Sequence, residues 1–329
     1  MTGLRSRVKD NVPLRTALFL VQNLMVAVAA ALRPPPWRRR RSTAPPDHGL
    51  AAMIRVKDEA RFLPEWIAHH VRLGVEHVFV YDNNSADDLE DAVRPFVERG
   101  LVTLVRWPPV PASPSAEYDF LERFGPSCRW VCFFDADEFL VEAHPGAFAE
   151  ALGRDNRPAV AVCWRYYGSS GYERIPEGLV TERFVMADEA FNRHVKVIAR
   201  PDRIVRYRNS HNFFYAGGRL AVTADGTKVY GSFVPPPLDP PLMLNHYIYR
   251  SREDYERKAL RGFVDASEAK ERSRRLSVAD AEFHRRNDVA VPLDARIVRA
   301  TAELLRDLGY PSEHTASAAE APGTSSQTR

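Results

Sequence analysis

Between residues 50 and 135 the sequence alternates between short β-rich runs and longer stretches of helical period, and this limits the fold more than any other feature. "LAAMIRV" (50–56), "VEHVFVYD" (75–82), "LVTLVRW" (101–107) and "CRWVCFFD" (128–135) are the strand-like runs. They are rich in β-branched and aromatic residues, which suit a pleated, buried surface. The first intervening segment, "EARFLPEWIAHHVRLG", places Phe62, Leu63, Trp66, Ile67, Val71 and Leu73 on a helical stripe that Gly74 ends. "NNSADDLEDAVRPFVERG" reads as a turn and a helix, with Ser85 as N-cap and Gly100 as stop, and "SAEYDFLERFG" reads as a third helix. Such alternation demands a mostly parallel sheet covered by helices on both faces.

In sheets of that kind, ligands bind beyond the carboxyl ends of the strands. Three of these ends are polar. Run one ends in Lys57, Asp58 and Glu59, run two in "DNNSADD" (82–88), and run four in "DADE" (135–138). All three clusters are expected at one edge of one sheet.

Asp135 and Asp137 are two residues apart, so on an extended segment they project to the same side. Carboxylates that close repel one another, and burying them unpaired is costly. A hard divalent cation such as Mg²⁺ or Mn²⁺ relieves both problems and commonly shares its shell with phosphate oxygens. The expected chemistry is metal-assisted handling of a phosphate or diphosphate. A solvated acidic turn is the alternative for an isolated motif of this type.

The remainder of the chain is less regular. "AVAVCWRYYG", "VKVIARP", "RIVRYRNSHNFFYAGG" and "PLMLNHYIYRS" are strand-like, and "REDYERKALRGF" is an amphipathic helix. Three cysteines, Cys128, Cys132 and Cys163, form no CxxC and no paired framework, against both a disulfide scaffold and a structural zinc site. Residues 1–41 carry nine Lys and Arg against one Asp, a net +8. The rest carries 37 positive against 42 negative residues, a net −5, which disfavours a nucleic-acid-binding body. Between the basic clusters lies the apolar run at residues 16–32, at the short edge of a membrane span and with Gln22 and Asn23 near its middle. It reads equally as a membrane contact or as a helix docked on the protein itself. Residues 1–49 are thus an N-terminal segment ending in a Pro/Arg-rich linker, 50–310 the folded body and 311–329 a small, polar, disordered tail. Membrane association with a cytoplasmic catalytic domain is the expected location, with a soluble cytoplasmic protein as the alternative.

"MIRVKDEARFLPEWIAHHVRLGVEHVFVYDNNSADD" followed by "WVCFFDADEFL" resembles the nucleotide-sugar half of GT-A fold glycosyltransferases, in the family-92 and family-2-like group. "GSSG" (168–171), "TERF" (181–184), "VKVIARP", "HNF" (211–213), "NHYIYRS" and "FHRRND" (283–288) extend the resemblance through most of the body. It implies a sheet of GT-A type with an irregular acceptor-side half. It also implies transfer of a sugar, usually UDP-linked, to a hydroxyl of a glycan, lipid-linked or other acceptor. Val56, Asp58 and Glu59 would meet the nucleotide, with Asp82 and Asn84 at its uracil or ribose. Asp137, and Asp135 directly or through water, would bind the metal, with Glu138 turned aside to anchor the loop. His246 would complete the metal shell, with His211 as second choice, and Lys196 would face the diphosphate. An inverting enzyme also needs a carboxylate base. Glu173, Glu182, Asp188 and Glu189 all qualify, and the resemblance favours Glu182. Trp164, Tyr166 and Tyr167 with "SSGY" would form an acceptor platform. Two other readings stay open: a catalytically silent nucleotide- or carbohydrate-binding module, and a haloacid-dehalogenase-type phosphatase. Glu138 after the motif, and a motif on the fourth strand, count against the phosphatase.

Overall fold

The computed structural model describes residues 12–39, 45–110, 112–154, 156–235, 239–261, 283 and 286–311. The expectations for residues 1–11, for the tail beyond 311 and for part of "FHRRND" lie outside these. The first half follows the alternation of the sequence. β1 (His48–Val56), α3 (Leu63–Arg72), β2 (His77–Asp82), α4 (Leu89–Glu98), β3 (Val102–Arg106), α5 (Ser115–Arg123) and β4 (Cys128–Phe133) succeed one another. Two N-terminal helices, α1 (Val12–Leu32) and α2 (Pro36–Arg39), precede them. Then come β5 (Glu138–Glu142), α6 (Ala147–Gly153), β6 (Ala159–Tyr166), α7 (Val180–Arg183), β7 (Met186–Ala187), β8 (Asn192–Ala199), β9 (Ile204–Asn209), β10 (Asn212–Tyr215), β11 (Val222–Thr223), β12 (Leu242–His246), α8 (Arg252–Arg261), β13 (Val289–Ala290) and α9 (Ala295–Asp307).

Nine strands form one sheet in the order β3-β2-β1-β4-β8-β6-β12-β5, with β11 beside β6. β1, β2, β3 and β4 run parallel, so their carboxyl ends share one edge as expected. Successive residues of β1 face opposite cores. Ala52, Ile54 and Val56 enter a core with Trp66 and Ile67 of α3, Phe96 of α4 and Leu305 of α9. Ala51 and Met53 enter another with Phe120 of α5 and Phe213 of β10. Helices therefore cover both faces, and the architecture is the mixed α/β, mostly parallel sheet that the sequence implies. All three cysteines are buried and free.

One local expectation is corrected, and one strand is added that the sequence analysis did not assign. Ser85 is not the cap of α4: the helix starts three residues later, after Asp88. Ser85 Oγ instead accepts the amide hydrogen of Asp58 at 3.0 Å, tying the end of β2 to the end of β1. The apolar residues after the acidic motif form a strand in their own right, β5, antiparallel to β12 at the far edge of the sheet. An open edge exposes unpaired backbone groups. Side chains of α3 cover this one: Trp66 Nε1 donates to Glu138 O at 2.8 Å and His69 Nε2 to Leu140 O at 2.8 Å. His70 Nε2 accepts from Leu140 N at 3.3 Å.

Candidate active site

The acidic motif sits in the turn between β4 and β5, where Glu138 N donates to Asp135 O at 3.0 Å. Glu138 is fully buried, and its Oε2 accepts the amide hydrogen of Asp135 at 2.9 Å. That bond fixes the turn from inside, so Glu138 anchors the loop that carries Asp135 and Asp137.

Three elements bring partners to these carboxylates. β8 runs antiparallel to β4 with Val197 opposite Phe133, which sets Lys196 beside the start of the turn. Lys196 is buried, and its Nζ donates to Asp135 Oδ2 at 2.6 Å and lies 3.5 Å from Glu138 Oε2. Burial works against the ammonium charge, but Asp135 and Glu138 outweigh it and raise the Lys196 pKa. β12 places His246 between Glu138 on β5 and Tyr166 on β6. Its Nε2 is 3.4 Å from Asp137 Oδ1, and its Nδ1 is 3.7 Å from Glu138 Oε1. α8 presents Lys258, whose Nζ donates to Asp137 Oδ2 at 3.0 Å.

Electrostatics divide the three acids. Burial opposes ionisation of Asp137, yet Lys258 and His246 hold it well below the usual carboxylate range. Burial likewise opposes ionisation of Asp135, whose side chain is nevertheless 48% exposed, and Lys196 and Arg55 lower it. Glu138 goes the other way: burial pushes it up to about 7 against the pull of Lys196.

Lys258 belongs to a charged set that the sequence reading missed. Arg250 Nε contacts Asp254 Oδ2 at 2.7 Å and Arg250 Nη2 contacts Glu59 Oε2 at 3.3 Å. The Arg250 guanidinium carbon lies 3.6 Å from the centroid of the Phe62 ring. Arg257 pairs with Asp254 at 2.8 Å and donates to Asp58 O at 2.8 Å. Asp254 and Lys258, four apart, share one face of α8, and Arg250, two residues before the helix begins, folds back onto Asp254. In sequence, Arg250 falls in the strand-like run "PLMLNHYIYRS" and Asp254 and Lys258 in the amphipathic helix that follows, and nothing local joins the three. Glu59, expected to meet nucleotide, is instead drawn inward to Arg250.

The ends of β1 and β2 interlock. Asp58 Oδ1 accepts from Ala86 N at 2.6 Å, Asp82 Oδ1 from Ser85 N at 2.9 Å, and Asp87 Oδ2 from Ala60 N at 2.8 Å. Asn84 Nδ2 donates to Pro108 O at 3.0 Å, and the adjacent Asn83, buried, bridges Trp107 O and Pro109 O. Asp58 and Asn84 both have positive φ, 51° and 59°, a left-handed conformation that Asp and Asn tolerate better than most residues. Val56, between them and the core, is buried.

The aromatic platform is corrected. Trp164 and Tyr167 are buried, with their faces already covered. Trp164 stacks on His194 (5.4 Å between centroids) and His211 (5.6 Å), and Tyr167 packs on Tyr247 (4.6 Å). His211 stands in this aromatic wall, and burial and Lys196 drive its pKa down to about 3. Tyr166 is half-buried, with its ring against His246 at 5.2 Å and the Arg286 guanidinium 4.5 Å from its centroid. The "GSSG" turn binds residue 287 across more than a hundred positions: Ser170 N donates to Asn287 Oδ1 at 3.0 Å. A Cβ at Gly168 would come within 2.7 Å of Arg286 O, so only glycine admits this approach.

The carboxylates offered as base separate. Glu182 lies in α7, which α3 holds: Val180 N, Thr181 N and Thr181 Oγ1 all donate to Glu65. Glu173 and Glu189 are exposed. Asp188 N donates to Tyr166 O at 2.9 Å, and its carboxylate pairs with Arg286. Tyr166 is the cross-strand partner of His246, so Asp188 is two strand spacings, about 10 Å, from His246.

Among the described residues, no group of three or more His, Cys, Asp or Glu is placed to hold a metal. Two donors are so placed. Asp137 Oδ1 and His246 Nε2, 3.4 Å apart, are close to the roughly 3 Å expected of adjacent ligands at about 2.1 Å from one ion. A hard cation bound through one or two protein groups leaves its other positions to water and phosphate oxygens, so the pair fits a cation that arrives with a diphosphate.

The chain is similar to several known proteins. A glycosyltransferase family 92 protein of Oryza sativa subsp. japonica is 33% identical over 162 residues, 48% of this chain and 28% of that one. One from Ricinus communis is 26% identical over 222 residues, 65% of this chain and 38% of that one. One from Arabidopsis thaliana is 30% identical over 170 residues, 47% of this chain and 29% of that one. The chain thus spans well under half the length of these relatives. Among solved structures, S. aureus TarS 1–349 overlaps with 12% identity over 80% of this chain and 73% of that one, at a TM-score of 0.37. Glucosyl-3-phosphoglycerate synthase from Mycobacterium tuberculosis, in complex with phosphoglyceric acid, overlaps with 19% identity over 46% of this chain and 50% of that one, at 0.26. Those overlaps are loose, and the fold stands on the strand order itself. The model of glycosyltransferase family 92 matches residues 51–217, from β1 through β10 and including the acidic motif; the chain belongs to that family.

Proposed function

We propose that this domain transfers a sugar from a nucleotide-diphosphate sugar, UDP-linked, to an acceptor hydroxyl of a glycan, a lipid-linked sugar or another compound, with inversion. The observation that carries the reading is the pairing of Asp137 with both His246 and Lys258 at the carboxyl edge of the sheet. Asp137 and His246 would hold Mn²⁺ or Mg²⁺, which when bound supplies charge neutralisation for a leaving diphosphate. The protein's own cations add to it. Lys196 and Lys258 are buried beside the motif, where an ammonium acts more strongly than in water. Val56, Asp58, Asp82 and Asn84 border the nucleotide, with Asp82 toward uracil or ribose.

In the transfer, the acceptor oxygen attacks the anomeric carbon as the bond to the diphosphate oxygen breaks. The electron pair of that bond leaves with the diphosphate, and a carboxylate takes the acceptor proton. Asp188 is favoured over Glu182 for that role, because its backbone bonds to Tyr166, the strand neighbour of His246, about 10 Å from that histidine. Family membership leaves the phosphatase reading without support. The N-terminal segment brings the domain to a membrane.

Thermal shift with UDP, with and without Mn²⁺, tests the donor site. Stabilisation by UDP that requires the metal is expected, and Asp137→Ala abolishes it together with UDP-sugar hydrolysis. If neither UDP nor another nucleoside diphosphate stabilises the protein with metal present, the reading fails.

A further inference from the structure

The helix α1 is apolar on two opposite faces, and the fold covers only one. Phe19, Asn23, Val26 and Ala30 are buried; Phe19 stacks on Phe214 at 6.0 Å between centroids, and Asn23 Nδ2 donates to Gly218 O at 2.7 Å. At 100° per residue these four positions cluster around one direction, and Leu14, Leu18, Val21, Met25, Val28 and Leu32 cluster around the opposite one. All six are exposed, from 42% at Leu14 to 83% at Leu32. They form a straight apolar stripe about 27 Å long. A helix apolar all round is normally buried all round.

We infer that this stripe lies on the surface of an anionic phospholipid bilayer, with α1 parallel to the membrane plane between the lipid and the body. The inference sharpens the membrane contact proposed above but stands on the helix alone. Among the described residues, no helix is long and apolar enough to cross a membrane. Crossing would also pull Asn23 from Gly218 and Phe19 from Phe214. A helix in the plane keeps both contacts and buries the stripe at the boundary of headgroups and acyl chains.

Charge selects the occupant. Residues 1–41 carry a net +8 against −5 on the remainder, so both ends of the stripe are flanked by arginine and lysine. Arg33, one residue past the stripe, is exposed. The spacing of four and three would also suit a second copy of α1. Two copies would bring +8 against +8 in either orientation, whereas an anionic surface attracts the same charges.

The test is flotation of the full chain with vesicles of phosphatidylglycerol or of phosphatidylcholine, at low and high salt. The wild type is expected to float with anionic vesicles and to lose most of that binding in high salt. The double variant Val21→Gln/Met25→Gln is expected to partition at least ten-fold more weakly, with its unfolding midpoint and metal-dependent UDP binding unchanged. Equal flotation of the variant overturns the inference, as does equal, salt-insensitive binding to both vesicles. A wild type that ignores vesicles but forms dimers broken by the double variant assigns the stripe to a second copy. One that does neither also overturns it. Flotation without any UDP binding leaves the inference standing and removes the donor site.

Discussion

Glu138 Oε1 and His246 Nδ1 face each other at 3.7 Å inside the sheet edge, and among the described residues neither atom has a hydrogen-bond partner. On the other side of the imidazole, Nε2 faces Asp137 Oδ1. Above about pH 8, where Glu138 is ionised, its carboxylate toward Nδ1 favours the tautomer with hydrogen on Nδ1, leaving the Nε2 lone pair for a metal. In Glu138→Gln the carboxamide oxygen can keep the bond to the Asp135 amide while its NH₂ turns to Nδ1, which reverses the tautomer. Mn²⁺ affinity, measured by electron paramagnetic resonance of the free ion, is expected to fall about 10–100-fold, with little change in the unfolding midpoint. Unchanged affinity would show that Glu138 only anchors the turn.

Lys258 and a metal draw on the same carboxylate from two sides. Lys258→Met removes a cation 3.0 Å from Asp137 Oδ2, so Mn²⁺ is expected to bind severalfold more tightly. UDP affinity in the presence of saturating Mn²⁺ is expected to fall at least severalfold, because a charge that meets the diphosphate is gone. Calorimetric titration of each ligand separates the two effects. If both affinities fall together, Lys258 supports the site without competing at Asp137.

The first four strands and their helices were legible because each is a continuous apolar run or a clear stripe closed by glycine. β5 was not. It is five residues long with a carboxylate at each end, and side chains of α3 satisfy its outer edge, a partnership with no local pattern. Arg250 and the inward face of α8 escaped for a related reason: Arg250, Asp254 and Lys258 look solvated by hydropathy, and only the chain's return over Asp137 makes them an interior ion network. Lys196 was placed near the diphosphate by resemblance, but its burial follows from β8 lying between β4 and β6. The apolar run of α1 was ambiguous in sequence because both of its faces are apolar.

The covering of β5 carries a pH dependence. His69 and His70 are buried and neutral, and burial pulls His69 down to about 4 from 6.5 and His70 well below its ordinary value, with His69 adding to the effect. Between about pH 6.5 and 4 the unfolded chain binds protons that folded His69 refuses, so stability falls as pH falls through that window. For His69 alone the loss by pH 5 is about 2 kcal/mol relative to pH 7.5. Urea unfolding at the two pH values is expected to show this loss or more. His69→Gln, whose amide can still donate to Leu140 O, is expected to remove most of the His69 share. An identical slope in wild type and variant would place the dependence elsewhere.

The base is the remaining choice, and position favours Asp188 over Glu182. Asp188 pairs with Arg286, whose guanidinium also covers Tyr166 beside His246, so acceptor binding has a defined neighbourhood there. A pair with arginine keeps a carboxylate ionised, the state a base requires. Removing a general base typically costs 10²–10⁴-fold in rate. Asp188→Asn is therefore expected to lower kcat for transfer by about 10²-fold or more with UDP affinity retained, while Glu182→Gln stays within a few-fold of wild type. Rates of transfer and equilibrium binding of UDP, measured on the same preparations, distinguish a lost base from a lost donor site. The reverse ranking, with Glu182→Gln inactive and Asp188→Asn active, would return the role to α7.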